Sequence, residues 1–236
     1  MTHRNKWLSA ALSLVVVLTV ILAGCQSKST SGGESSASPS PAQSAPKASA
    51  STPSETPPSG PQRGGSISIA VGADISNFDP IKGSNGGDHV MLWPVYDTLV
   101  KFTPDLQTKP GLAQHWEFTD AQTLVLYLRT GVTFQDGTPF NAEAVKFNFE
   151  RINAEGSTVS DLKVIEQVEV VNDSTVKLHL NQPSPAILLA LTDRGGMMVS
   201  PAAVQQYGDD YSQHPVGAGP FKMIKHEPGG GIEYEA

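Results

Sequence analysis

Residues 124–143, LVLYLRTGVTFQDGTPFNAE, predict a strand, a tight turn and the start of a helix in direct succession. Leucines at positions 124, 126 and 128 alternate with other side chains, which is typical of a strand with one buried face. Asp136-Gly137 predicts the turn, and Asn141 has a side chain that commonly caps helices. The helix that follows carries one apolar stripe over residues 145–152, so we expect it to pack against the sheet.

Further strands and helices are predicted on both sides of this stretch. Before it, Ser66–Val71 alternates as a strand, and a loop rich in Gly and Asn leads to Asp88, which is placed to cap a helix that Pro94 would kink. After it, we expect a hairpin of residues 164–171 and 175–180, two helices opened by Ser184-Pro185 and Ser200-Pro201, and a final hairpin of residues 221–225 and 232–235. This mixture predicts an α/β or α+β fold.

The first residues of the chain are typical of an export signal. Two basic residues precede an apolar run over residues 8–21 that is too short to span a membrane, so residues 1–24 are expected to be a signal peptide. The run ends in Leu22-Ala23-Gly24-Cys25, which resembles the lipobox of bacterial lipoproteins, where the cysteine is acylated and becomes the first residue of the mature protein. We therefore expect Cys25 to hold the protein on the lipid bilayer, at the outer face of the cytoplasmic membrane. The alternative is an ordinary signal with an incidental cysteine.

The composition after the signal separates a spacer from a folded part. Residues 26–62 are rich in Ser, Pro and Ala, with no aromatic residue and no aliphatic residue larger than Ala, so 25–62 is expected to be a lipidated cysteine with a disordered tether. Residues 63–236 form the folded part. Loss of Arg4 and Lys6 with the signal lowers Lys and Arg from 16 to 14 against 23 acidic residues, a net charge of −9. An acidic chain without a basic cluster favours neither nucleic acid nor anionic lipid as a partner.

No pattern of residues predicts an enzyme or a metal site. No two of the six histidines are four residues apart, and none lies beside the single cysteine at zinc-like spacing. The chain has no Gly-x-Ser-x-Gly motif and no complete dinucleotide-binding glycine loop. We therefore expect no catalytic residue and no cofactor. A hydrolase is the alternative, and its turnover would disappear when Ser184 or Ser200 became Ala.

Seven stretches, taken in order, resemble the extracellular solute-binding proteins of ABC importers, in the class that includes dipeptide, oligopeptide and nickel binders. The stretches are Gly64–Ile69, Asn77–Pro80, Val95–Val100, Pro110–Trp116, Leu126–Phe134, Asp136–Glu143 and Pro215–Phe221. Most of these residues form turns or tight packing, with Trp116 and Phe134 expected in a core, so they indicate a fold and not a particular solute.

The resemblance implies a periplasmic-binding-protein-like clamp, in which two lobes enclose a solute and present it to a membrane permease. By the family's chain order, residues 63–90 and 206–236 belong to the first lobe, and residues 91–205 form its accessory subdomain. Family members continue beyond the point that matches Ala236. The resemblance therefore implies a truncated chain whose second lobe is missing.

The resemblance also implies which residues contact the solute. One group matches the loop that meets the solute in family members, often through main-chain groups: Lys82, Gly83, Ser84 and Asn85. Arg194, followed by Gly195, lies at or near a position where nickel-binding relatives use an arginine for a carboxylate, and an arginine fork suits that group. An ordinary turn and an ion pair of Arg194 with Asp193 or another acid are the structural alternatives. Nickel-binding relatives have an aromatic residue near positions 156–160, where this chain has Gly-Ser-Thr-Val-Ser, which disfavours a nickel chelate.

Two functions follow from these patterns. The first is a lipid-anchored receptor that acts as a monomer and delivers a small solute, an oligopeptide or dipeptide, to an ABC permease by closing its lobes on the solute. The second is a non-binding envelope lipoprotein, or a gene remnant, made of a lone lobe. Stabilisation of the folded chain by a solute distinguishes them, because a ligand that binds only the native state raises the melting temperature.

Overall fold

The computed structural model describes residues 64–83 and 86–236 of the chain. Its strands are β1 (Val100–Phe102), β2 (Thr108–Pro110), β3 (Ala113–Asp120), β4 (Thr123–Leu128), β5 (Ile165–Asn172), β6 (Thr175–Leu180), β7 (Lys222–Glu227) and β8 (Gly231–Glu235). Its α-helices are α1 (Asp88–Leu92), α2 (Ala142–Ile152), α3 (Ile187–Ala190) and α4 (Pro201–Tyr207), and 3₁₀ helices cover Arg194–Gly196 and Gly208–Gln213. The predicted signal peptide, Cys25 and the tether over 25–62 lie outside the described residues.

A four-stranded antiparallel sheet, in the order β3-β4-β6-β5, carries the larger apolar core. Leu124 pairs with Leu178 and Leu126 with Val176, and all four side chains are buried. Helix α2 packs its apolar stripe into the same core, as its spacing predicts. The described sheets are antiparallel throughout and are accompanied by helices, so the expected mixed α/β content is confirmed.

The predicted cap and turn of the central stretch are both present. The Asn141 side chain accepts a hydrogen bond from the Ala144 amide at 3.0 Å and so caps α2. Asp136-Gly137 forms the turn, with Gly137 at a φ of 83°, a value that glycine adopts without steric cost. Buried Asn148 then joins α2 to the segment before α4 through both the amide and the carbonyl of Val199.

A second, smaller apolar core joins the segment around Phe78 to the C-terminal hairpin. It contains Phe78, Met91 and Leu92 of α1, and Tyr211, and Tyr234 of β8 packs against it. The Tyr234 hydroxyl donates to the Met91 carbonyl oxygen at 2.7 Å, which fixes the β7–β8 hairpin beside α1. Residues of this core come from both sides of the predicted boundaries at 90/91 and 205/206, and those boundaries stay a prediction.

The glycines of the Pro215–Phe221 stretch allow the tight backbone that the sequence predicts. A Cβ atom on Gly217 would lie 2.3 Å from the Val95 carbonyl oxygen, and one on Gly219 would lie 2.4 Å from the Val95 carbonyl carbon. The Gly219 amide donates to that same oxygen at 2.8 Å. Any side chain at either position would separate these two segments.

The strand expected over Ser66–Val71 is wrong. Residues 64–71 have no regular structure, and Ile67 and Ile69 are 85% and 70% exposed. Alternation favours an extended chain, but a strand also needs a neighbouring strand to complete its hydrogen bonds, and none of the named strands pairs with this segment.

Two helix starts also differ from the predictions. Gly87, and not Asp88, occupies the N-cap position of α1, while the Asp88 side chain bonds to Ser76 instead. Helix α1 ends at Leu92, because Pro94 cannot continue the hydrogen-bond ladder, so it ends and does not kink. Ser184 gives α3 no side-chain cap, whereas Ser200 caps α4 as expected.

Candidate functional site

The structure brings together two of the segments that the sequence marks for solute contact. Nη1 of Arg194 donates a hydrogen bond to the carbonyl oxygen of Gly83, and it lies 3.4 Å from the carbonyl oxygen of Pro80. The arginine therefore reaches across from the 3₁₀ helix over residues 194–196 and holds the main chain of the loop. Lys82 is exposed beside it, while Ser84 and Asn85 lie outside the described residues.

Thr158 completes this contact and was missed by the sequence analysis. Its hydroxyl donates to the Gly83 carbonyl oxygen at 2.6 Å and accepts from Nη1 of Arg194 at 3.3 Å. Its amide donates to the Ile81 carbonyl oxygen at 2.7 Å. In the sequence, the Gly-Ser-Thr-Val-Ser stretch indicates only that the aromatic residue of nickel-binding relatives is missing. No local pattern marks a threonine as the partner of a loop that lies 75 residues away.

Gly83 is enclosed, which explains why this loop position needs the smallest residue. A Cβ atom there would lie 2.9 Å from Oδ2 of Asp88 and 3.3 Å from Nη1 of Arg194. Asp88 is fully buried, and its carboxylate accepts from the Ser76 amide at 2.8 Å and the Ser76 hydroxyl at 2.5 Å. The loop over residues 76–88 is thus closed at its base by one carboxylate.

The guanidinium of Arg194 is not neutralised by a described carboxylate. Asp193 accepts from the Arg194 main-chain amide at 2.7 Å and pairs with Nδ1 of His89 at 3.1 Å, so it is directed away from the Arg194 side chain. Within residues 64–83 and 86–236, no carboxylate oxygen lies within 4.0 Å of the Arg194 guanidinium. The alternative ion pair of Arg194 with Asp193 is therefore not formed, and the described residues leave the charge of Arg194 without a carboxylate partner.

Gly195 packs closely against neighbouring apolar side chains beside Arg194. A Cβ atom on it would lie 2.5 Å from Cδ1 of Leu162 and 3.2 Å from Cγ1 of Val159. Together with Thr158 and Arg194 these residues line a depression of about 90 Å³. That volume corresponds to roughly three water molecules, so the depression is too small for a whole peptide. Asp161 and Asp193 line it as well as Arg194.

A larger groove, of about 500 Å³, lies elsewhere, between α2 and α4. It is lined by Lys146 and Phe147 of α2 and by Ala202 and Gln205 of α4, and none of the residues predicted to contact a solute belongs to it. The polar depression at Arg194 matches the predicted residues better than this groove does.

The placement of possible metal ligands and the contacts of Ser200 bear on the two alternative kinds of site. No group of three His, Cys, Asp or Glu side chains in the described ranges is placed to hold a metal ion. Ser200 is buried, and its hydroxyl donates to Oδ2 of Asp136 at 2.5 Å while it caps α4. Burial alone would raise the pKa of Asp136, but the hydrogen bonds from Ser200 and Thr138 outweigh burial and lower it. This serine thus has a structural role in the fold.

Comparison with known proteins identifies the family. The family model described as "Bacterial extracellular solute-binding proteins, family 5 Middle" matches residues 107–236. The chain belongs to this family. The resemblance inferred from the sequence motifs is therefore confirmed at the level of the family.

Individual relatives align over about two thirds of the chain. The glutathione-binding protein GsiB of Pectobacterium atrosepticum is 34% identical over 160 residues, which is 66% of this chain and 31% of that protein. NikZ from Campylobacter jejuni, in complex with Ni(L-His), superposes with a TM-score of 0.63 and 30% identity over 69% of this chain and 34% of its own. DppA from Helicobacter pylori, in complex with the peptide STSA, gives 0.60 and 26% over 69% and 37%. The chain therefore spans about a third of the length of these relatives.

The family assignment gives general properties of the members. Family 5 proteins bind peptides or similar small solutes, act outside the cytoplasm and interact with ABC permeases; they are transport proteins and not enzymes.

In the described part of this chain, the helices are too short or too polar to cross a bilayer.

Proposed function

We propose that this chain takes part in solute delivery to an ABC permease and that its solute is a peptide. The loop that begins at Lys82 and Gly83 and the guanidinium of Arg194 would form one side of the site. The single observation that carries this proposal is the contact of Arg194 with Gly83, which joins two segments that are far apart in sequence and both implied in solute contact.

The two segments offer groups that a peptide can bind: a guanidinium for a carboxylate, and main-chain groups for the peptide backbone. Arg194 is always charged and lacks a described carboxylate partner, so a solute carboxylate would supply one through two charge-assisted hydrogen bonds. Thr158 holds the carbonyl oxygen of Gly83 and Asp88 holds Ser76, and such contacts lower the cost of ordering these positions on binding. The names of two relatives, a glutathione-binding protein and a peptide-bound DppA, point to the same solute class.

The proposal includes the location of the protein. Cys25 would carry the lipid, residues 26–62 would act as the tether, and the monomeric folded part would stand at the outer face of the cytoplasmic membrane. This placement would keep the solute site close to the permease.

Thermal unfolding of the chain with a set of di-, tri- and oligopeptides tests the proposal. A binding peptide raises the melting temperature, and Arg194→Gln should weaken its binding about 10- to 100-fold, which corresponds to the loss of roughly 1.5–3 kcal/mol for hydrogen bonds to a charged group.

Arg129→Gln is the matched control, because Nε of Arg129 also donates to a glycine carbonyl oxygen, that of Gly111 at 2.5 Å, but outside the loop. Equal losses in the two variants would refute the role of Arg194 in the site, and no thermal shift with any peptide would favour the non-binding lipoprotein instead.

A further inference from the structure

A buried ion pair lies under the loop that carries Lys82 and Gly83. Nη2 of Arg151, in the last turn of α2, donates to Oδ2 of Asp79 at 2.6 Å. The side chains are 14% and 2% exposed, so solvent screens the pair little. The pair ties two segments that are 72 residues apart in sequence.

Asp79 makes the hydrogen bonds that hold the turn leading to Lys82 and Gly83. Its carbonyl oxygen accepts from the amides of Lys82 at 3.0 Å and Gly83 at 3.1 Å. Its carboxylate oxygen Oδ1 accepts from the Ile81 amide at 3.3 Å, and its own amide donates to the Asn77 side chain at 2.8 Å. A shift of Asp79 would therefore move the main chain of both described loop residues.

Arg151 is itself held in place by the smaller core. Its guanidinium carbon lies 5.7 Å from the centre of the Tyr211 ring, and the Tyr211 hydroxyl is 3.1 Å from that of Tyr96. Tyr96 in turn donates to the Phe78 carbonyl oxygen, next to Asp79 in the chain. Burial raises the pKa of Tyr96, so this phenol stays protonated and can donate. Asp79 is thus fixed from two directions.

The pair is not the arrangement that stability alone would favour. Among the described residues, Nη1 of Arg151 is buried without a hydrogen-bond acceptor. A buried ion pair with an unsatisfied group is often no more stable than an apolar pair of the same volume. The hydrogen bond between the two side chains is directional, however, and so fixes the orientation of Asp79. An apolar pair in their place would not fix the orientation of residue 79.

We propose that Arg151 is a positioning residue for the solute site: acting through Asp79, it sets the main chain of Lys82 and Gly83 and thereby the affinity for solute, without contacting the solute. The part concerning affinity rests on the proposed function. The part concerning the loop does not, and it can be measured without any solute.

Amide hydrogen exchange of the full chain tests the loop directly. In Arg151→Met, the amides of Ile81, Lys82 and Gly83 should exchange at least about 10-fold faster, the factor expected when a hydrogen bond to a charged group no longer holds the turn. The amides of β4 and β6 should keep their protection. Lys146→Met is the matched control, because it removes a cation of the same helix whose contact with Glu150 is exposed and 4.0 Å long.

A second variant separates positioning from stability. Arg151→Met leaves the Asp79 charge buried and alone, and the fold could fail for that reason. Arg151→Met combined with Asp79→Leu removes both charges, so we expect near-native unfolding with a loop that still exchanges fast. Native protection of the loop in this double variant would overturn the proposal, as would equal acceleration in the loop and in β4 and β6.

The affinity for a peptide is the third measurement, and it tests whether the position of the loop controls binding. With a peptide that binds the unaltered chain, the double variant should bind about 10-fold more weakly if loop position controls affinity. Unchanged affinity with a fast loop would overturn the control of affinity by Arg151. A fast loop in a chain that binds no peptide would refute the proposed function and leave the positioning role of Arg151 supported.

Discussion

Replacing Gly83 by alanine should destabilise the protein, although alanine is the smallest possible change. The new Cβ atom would lie 2.9 Å from Oδ2 of Asp88, closer than real Cβ contacts allow, and 3.3 Å from Nη1 of Arg194. Asp88 cannot move away easily, because it is fully buried and bonded twice to Ser76. Gly83 does not have a positive φ, so the cost is steric overpacking, roughly 1–3 kcal/mol in the free energy of unfolding.

Gly86→Ala is the control from the same loop, and it should act in the opposite direction. No atom lies within 4 Å of a Cβ at Gly86, and its φ is not positive. Alanine there reduces the conformational freedom of the unfolded chain and should stabilise the protein by about 0.4–1 kcal/mol.

Urea unfolding followed by tryptophan fluorescence measures both changes. The midpoints should move in opposite directions with an unchanged slope, so the difference between the two variants is about 1.4–4 kcal/mol. Equal midpoints for Gly83→Ala and Gly86→Ala would refute the enclosed loop described above.

Three further predictions concern other parts of the chain. Cys25→Ser should move the protein from the membrane fraction to the soluble fraction of cells, and its persistence in the membrane fraction would refute the lipid anchor. Asn141→Ala should lower the free energy of unfolding by about 1 kcal/mol, because the cap of α2 at Ala144 is lost, and an unchanged urea midpoint would contradict that role. The lowered pKa of Asp136 contributes stability that is complete above the unfolded-state pKa of about 4 and is lost as the pH falls through the native pKa. Removing one of its hydrogen bonds with Ser200→Ala should therefore flatten the acid side of the stability profile, measured by urea unfolding between pH 2 and 5; a profile of native steepness would count against this linkage.

The sequence predicted those elements whose signals are local. The cap at Asn141, the turn at Asp136-Gly137 and the hairpin of β5 and β6 each depend on residues a few positions apart, and all three are present. The same holds for Ser200, whose side chain and following proline together specify the start of α4.

Features that depend on distant partners could not be predicted in this way. The alternation of Ser66–Val71 suggested a strand, but only a neighbouring strand can complete one. The ion pair of Asp79 with Arg151 and the contact of Thr158 with Gly83 join segments more than 70 residues apart, and no local spacing marks them. Residue chemistry alone also left open an ion pair of Arg194 with Asp193 or another acid, whereas the Asp193 carboxylate pairs with His89 in the fold.

A two-dimensional NMR titration of the chain with a binding tripeptide shows whether the solute binds beside Arg194 and Gly83. We predict that the main-chain amides of Gly83 and Gly195 and the Nε–H of Arg194 change most, because these groups surround the proposed site. If the largest changes occur at Lys146 and Gln205, which line the groove between α2 and α4, the peptide binds in that groove, and the proposed site at Arg194 is wrong.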